Sequence, residues 1–177
     1  MGIQIGAKPD SGFEDPIGML TDCHRRIEHF LNIICVVVER AQGRTLSEEE
    51  IAAVEAALQY FRVGGERHTA DEEESLFPRL RDGLGGTAFE ELGKLENDHQ
   101  AAGRLHHAVE SLYKKWISEG SLAADENRQL VSGTGSLKRL YDGHIKIEEQ
   151  TVFPRAAQLL DGAAIRAIGQ EFRERRA

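Results

Sequence analysis

Residues 68–79 read His68-Thr-Ala-Asp-Glu72-Glu73-Glu-Ser-Leu-Phe77-Pro78-Arg79, and residues 144–155 read His144-Ile-Lys-Ile-Glu148-Glu149-Gln-Thr-Val-Phe153-Pro154-Arg155. A shift of 76 positions brings the two stretches into register, with His, Glu, Glu, Phe, Pro and Arg coinciding. His24 precedes the first copy by 44 positions and His99 precedes the second by 45. The chain therefore reads as two similar hairpins, each with a histidine on its first arm and His-x-x-x-Glu on its second. Polar residues that repeat inside apolar surroundings need a physical reason, and periodicity supplies the frame for it.

Around the repeat, apolar positions recur in alternating steps of three and four, the signature of helices facing a bundle interior. The first stripe is Ile17, Leu20, His24, Ile27, Leu31, Ile34, Val38. The second is Ile51, Val54, Leu58, Phe61, Gly65, His68, Glu72. The third is Leu92, Leu95, His99, Ala102, His106, Val109, Tyr113, Trp116, and the fourth Leu130, Gly133, Leu137, Leu140, His144, Ile147, Glu148. No segment shows the strict alternation of a strand. Asp15-Pro16 reads as an N-cap followed by a first-turn proline. Ser47 with Glu50 and Thr87 with Glu90 fit capping boxes, Ser121 or Asp125 can open a fourth helix, and Asp161 a short fifth. Stops are expected at Gly43, at Pro78 with Gly83, at Gly120, and at Pro154 with Gly162. Short turns favour antiparallel neighbours. The expectation is an all-α fold: residues 1–14 as a tail, 15–160 as an up-down-up-down four-helix bundle, and 161–177 as an amphipathic helix. The stripe Ile165, Ile168, Phe172 of that last helix would pack on the bundle or on a second subunit, making a homodimer conceivable.

Composition narrows the function. Thirty acidic residues against 22 Lys and Arg give a net charge of −8 with histidines neutral. That balance disfavours nucleic acid, whose phosphates are bound by Lys and Arg, and anionic membranes alike. The longest apolar run, Ile33 to Val38, falls far short of the roughly 20 residues of a spanning helix. The N-terminal residues lack the pattern of a secretory signal. Cys23 and Cys35 on one helix would stand about 18 Å apart, too far to bridge, so a cytoplasmic location is expected.

Positions four apart share a helix face, so His68 with Glu72, and His144 with Glu148, can each converge on a point. In an up-down-up-down bundle His24, His68, Glu72, His99, His144 and Glu148 all fall at one level. Burying two bare carboxylates costs several kcal/mol unless they are compensated. A metal site compensates both, and four imidazoles with two carboxylates suit a pair of iron or manganese ions.

This pattern, with Leu76-Phe77-Pro78 and Val152-Phe153-Pro154 after the two pairs, resembles the hemerythrin HHE cation-binding domain over roughly residues 17–157. The resemblance implies a four-helix bundle with a non-haem centre of two iron ions, with manganese or zinc as possible substitutes. It also implies a small ligand such as dioxygen, nitric oxide or peroxide. One departure stands out. Oxygen-carrying hemerythrins have a second histidine one turn after the third-helix ligand, where this chain has Gly103. One metal position would then have a water, another side chain or an open coordination place, which favours sensing, peroxide chemistry or iron release over oxygen carriage. Three functions follow: a protein that binds or senses a small ligand; an enzyme that decomposes peroxide or donates iron to damaged iron centres; and a metal-free helical interaction module.

The remaining polar residues read more plainly. His29 and His107 are expected at the surface or in helix packing. His106 is on the correct face, but seven residues past His99 is about 10 Å along the axis, too deep for ligation. Glu28, Glu73 and Glu149 read as solvated, with Glu149 as a fallback ligand. Tyr141 reads as core or as a hydrogen-bond partner of a metal-bound ligand, and Cys23 as a small buried side chain. The run Asp71 to Glu74 divides between ligand and polar face. Arg173 to Arg176 reads as favourable charge at a helix C-terminus.

Overall fold

In a computed structural model, which describes residues 10–83 and 89–177, Asp15 caps the first helix as its sequence requires. Its carboxylate accepts from the Gly18 amide at 2.9 Å, and Pro16 occupies the first turn. Helix α1 spans Pro16–Ala41 and stops where Gln42 and then Gly43 take positive φ, 50° and 76°. A side chain at Gly43 would also press on the Leu122 carbonyl, 3.1 Å from the Cβ position. Ser47 and Glu50 form the expected capping box and open α2. Helix α3 covers Glu90–Glu119 and ends at Gly120, φ 77°. The expected Thr87 cap lies outside the described residues.

Two expected boundaries are corrected. Neither Ser121 nor Asp125 caps the fourth helix: Ala123 holds that position, and the Glu126 side chain accepts from its amide at 3.2 Å. Nor do Pro78 and Pro154 end their helices. Helix α2 continues over 48–83, through Glu48–Tyr60, a π-turn at Phe61–Gly65, Glu66–Ala70, a second π-turn at Asp71–Leu76, and Phe77–Gly83. Helix α4 continues over 124–159, through Ala124–Ile147, a π-turn at Glu148–Val152, and Phe153–Leu159. A proline inside a helix removes a donor and crowds the carbonyl four residues back. In both helices the residue before proline bonds five residues back instead, Phe77 to the Glu72 carbonyl and Phe153 to that of Glu148. The turn is already widened when the ring arrives, and the helix survives. Asp161 caps α5, Gly162–Glu174, accepting from the amides of Ala163 and Ala164. Among the described residues there is no strand, and no helix is long and apolar enough to cross a membrane.

Burial shows the antiparallel course. One apolar cluster gathers Ile27, Leu31, Val38, Val54, Leu58, Val109, Trp116, Leu130 and Leu137. A second gathers Leu20, Leu76, Leu80, Leu92, Leu95, Val152, Ile168 and Phe172. Helices α1 and α3 pass from the second cluster to the first, while α2 and α4 pass from the first to the second. The level they all cross between the clusters is the level of the histidines and glutamates. Polar tips inside the first cluster are satisfied, Trp116 Nε1 donating to the Arg44 carbonyl and the Tyr113 hydroxyl to that of Ile34.

Of the two expected places for α5, the bundle is the one found. Ile168 and Phe172 are fully buried in the second cluster. The arginine tail does more than complement a helix end. Arg175 and Arg176 reach the buried Asp71 carboxylate at 3.0 and 2.6 Å, and Arg79 reaches Glu171 at 2.6 Å. Phe172→Ala should lower the unfolding free energy by about 3–5 kcal/mol, the usual cost of removing a buried phenylalanine. Urea denaturation measures it, and a loss below about 1 kcal/mol would mean that α5 is not part of the cooperative unit.

Candidate metal centre

The polar layer is buried. His24, Glu72 and Glu148 have no exposed surface, and His68 and His144 have almost none. The four imidazoles all turn Nε2 toward a carboxylate. His68 Nε2 lies 3.3 Å from Glu72 Oε1, and His99 Nε2 lies 3.2 Å from Glu72 Oε2. His24 Nε2 lies 3.0 Å from Glu148 Oε2, and His144 Nε2 lies 3.2 Å from Glu148 Oε1. Each glutamate thus gives one oxygen to each of two groups. The first is His24, His68, Glu72 and Glu148; the second is Glu72, His99, His144 and Glu148. Within each group one ligand atom per residue lies within 4.8 Å of all the others, close enough to hold a metal ion. All six residues singled out by the repeat meet here, while Glu28 is exposed and paired with Arg25.

Hydrogen bonding does not account for this cluster. Both oxygens of Glu72, both of Glu148, and His24 Nε2 are buried without a hydrogen-bond partner. Buried polar atoms are almost always satisfied, so five orphans aimed at one another fit lone pairs converging on a cation. The titration of the groups sets the two carboxyls apart. Burial and then the neighbouring Glu148 push the Glu72 carboxyl well above the usual carboxylate range. Burial also acts against the ionised form of Glu148, but contacts with His144 and His24 outweigh it and hold the group well below that range. Burial, followed by the adjacent imidazoles, lowers His68 and His99. Neutral imidazoles and an ionised Glu148 are donors ready for a cation, while Glu72, whose protonated form is favoured beside Glu148, would release its proton on binding one.

Glu73 and Glu149, read from sequence as solvated, have another task. The Glu149 carboxylate lies 2.9 Å from His24 Nδ1, and that of Glu73 lies 2.7 Å from His99 Nδ1. A carboxylate on Nδ1 selects the tautomer whose Nε2 lone pair faces inward, and orients the ring. Glu149 is therefore a partner of a candidate ligand and not the fallback ligand. A rotation of ~100° per residue was the ground for placing both on the outer face. Within the π-turns Asp71–Leu76 and Glu148–Val152, the second glutamate of each pair instead meets the Nδ1 of the same imidazole whose Nε2 faces the first. The phenylalanines of the repeat complete the pattern. His24 stacks flat on Phe153 with centroids 5.4 Å apart, and His99 on Phe77 at 6.3 Å.

The other polar residues fall in place around this layer. His106 Nε2 hydrogen-bonds the Tyr141 hydroxyl at 3.0 Å, and His29 and His107 are exposed. Cys23 is buried, and its sulfur accepts from Arg26 at 3.3 Å. Asp71, one residue before Glu72, was invisible as anything but part of an acidic run, because its arginine partners lie more than a hundred positions away.

Comparison with known proteins agrees with this geometry. The hemerythrin HHE cation binding domain family matches residues 15–167. The chain is also 30% identical over 89 residues to the iron-sulfur cluster repair protein YtfE of Cronobacter sakazakii, covering 50% of this chain and 40% of that protein. The proteins of the same name from Escherichia coli O139:H28 and Shigella boydii are 27% identical over the same length and shares. The match thus spans about two-fifths of the relatives' length.

The paired carboxylates make a pH prediction. A carboxyl raised by folding stabilises the folded state at low pH and loses that contribution as pH rises from its unfolded value, about 4.3, through the raised one. At pH 8 metal-free Glu72→Gln should be more stable than metal-free wild type by roughly 1–3 kcal/mol, the cost range of an unsatisfied buried polar group. At pH 4 the two should converge. Thermal denaturation at both pH values decides it, and a wild type more stable at pH 8 would refute the mutual repulsion. The histidines act in the opposite sense, but equally in both proteins.

Proposed function

The chain belongs to the hemerythrin HHE cation-binding domain family, and from that premise we propose that it holds two non-haem iron ions and binds or senses a small ligand. Dioxygen, nitric oxide and peroxide are the candidates, and the family's metal chemistry is the ground for them. The observation that carries the reading is the splitting of each carboxylate between two histidine pairs. A single ion in one group would leave the two imidazoles of the other group and the second oxygen of each carboxylate without a cation to face.

His24, His68, His99, His144, Glu72 and Glu148 are the residues that would hold the metal. Two irons would supply ligand binding and electron exchange with such molecules. The protein supplies the rest. Glu149 and Glu73 hold two of the imidazoles in the right tautomer, Phe153 and Phe77 fix their planes, and the two apolar clusters bound the layer on either side. Burial strengthens the electrostatic contacts within it. Cys23 and Cys35 are both free, which suits the reducing cytoplasm.

The names of the relatives favour a second reading, in which the bound iron is passed to a damaged iron-sulfur centre. The two readings separate in one assay. Iron that appears in an apo iron-sulfur acceptor faster than in an equimolar free chelator supports donation, and equal rates exclude it.

Protein purified from iron-supplied cells should contain about two metal ions per chain by elemental analysis. His68→Ala removes a donor from the first group only and should reduce the count toward one. The double variant His68→Ala with His144→Ala should bring it near zero and abolish the near-ultraviolet absorption of the iron pair. A folded wild-type protein that takes up no metal would sink the proposal.

A further inference from the structure

The two halves of the polar layer are alike in their ligands but not in their surroundings. The side chain of His24 has no exposed surface, whereas that of His99 retains 7%. One turn after His24 stands Glu28, paired with Arg25; one turn after His99 stands Gly103. A Cβ at Gly103 would meet no atom within 4 Å. The missing side chain opens onto a cavity of about 490 Å³, to which α2 contributes Phe61 and Glu73, α3 His99, Gly103 and His106, and α4 Tyr141.

Its walls differ in chemistry. The His106 ring lies against Phe61 at 4.4 Å and its Nε2 is 3.0 Å from the Tyr141 hydroxyl. Burial lowers His106 to about 4 and raises Tyr141 far above its ordinary value. At neutral pH the couple is uncharged, with polar hydrogens to offer and lone pairs to accept. Leu58, Phe61 and Ala102 make an apolar side; Glu66 and Glu73 border the cavity with negative charge, while Glu74 is paired with Arg175 and Glu110 with Lys114. Arg62 is occupied by Glu110. A diatomic ligand needs little more room than a water molecule, whose share of liquid is about 30 Å³. This volume is instead in the range of pockets that hold organic molecules, about 300–1,000 Å³.

We propose that the cavity binds a small uncharged organic molecule, its polar head against His106 and Tyr141 and its apolar body against Phe61 and Leu58. The bound molecule lies beside the His99 half of the centre. Its neighbourhood to a metal ion rests on the reading above; the pocket does not. An acidic border excludes anions of the same shape.

Phenol is a suitable probe and benzoate its anionic counterpart. Phenol titrated into zinc-loaded protein should shift the amide NMR signals of Gly103, His106 and Tyr141, and benzoate should bind at least tenfold more weakly. Gly103→Leu projects into the cavity and should abolish the phenol shifts with zinc content and fold unchanged. Tyr141→Phe keeps the shape and loses the hydroxyl, and should weaken phenol about tenfold, the worth of one hydrogen bond. With manganese in place of zinc, the phenol protons should relax faster. Absent shifts at these residues, wild-type affinity in Gly103→Leu, or tighter binding of benzoate each overturns the proposal. Phenol shifts in a chain that takes up no zinc would uphold the pocket and refute the metal reading alone.

Discussion

Two carboxylates buried in one layer are the constraint around which this bundle is built. Glu72 and Glu148 have no exposed surface and no hydrogen bond to their oxygens. What faces them is imidazole from all four long helices. The arrangement is reciprocal. Helix α4 supplies Glu148, Glu149 and Phe153 to His24 of α1, one to each nitrogen and one to the ring face. Helix α2 supplies Glu72, Glu73 and Phe77 to His99 of α3 in the same three places. Each hairpin therefore grips the histidine of the other. A single hairpin holds neither a complete group of ligands nor an oriented first-arm histidine, so the layer joins the halves as well as serving a site.

The departures from ideal helix follow from that grip. Both Glu-Glu pairs lie within π-turns, and in each pair both carboxylates meet the histidine of the neighbouring helix, one at Nε2 and one at Nδ1. Such turns occur mostly at functional sites, and here the reason is visible. The prolines that follow are compatible with the same widened turn, so Pro78 and Pro154 belong to the device and not to the helix ends. On α2 the outer side of the turn is braced by α5, whose Arg175 and Arg176 hold Asp71, the residue before Glu72.

Much of this was legible in the sequence because it is periodic. The stripes gave the helices, their sense and the six layer residues, and the 76-residue repeat separated those six from ordinary core histidines. The misplaced cap of the fourth helix is a local error, and the others lie at the π-turns. Reading Glu73 and Glu149 as solvated, and Pro78 and Pro154 as stops, assumed a uniform 3.6-residue turn. The repeat itself contained the correction, since the second glutamate and the proline recur in both copies along with the ligands. The pairing of Asp71 with the C-terminal arginines had no local signal at all. It depends on where α5 docks, and its amphipathic stripe says only that it docks somewhere.

Symmetry explains what is shared between the halves, and its failures locate what is specific. The ligands, the Nδ1 carboxylates and the stacked phenylalanines obey the two-fold relation. Glu28 and Gly103 do not, and neither do the surroundings of His24 and His99. A duplicated hairpin would enclose both halves equally unless something distinguished them. The glycine does so at little structural cost, because in the middle of a 30-residue helix it loses about 1 kcal/mol relative to alanine while leaving the ligand geometry intact. On the proposed function, the residues that would hold metal are the symmetric part of the molecule. The asymmetric part is where one side chain is absent and a histidine and a tyrosine line the space it leaves, and there the proposed pocket would select its ligand.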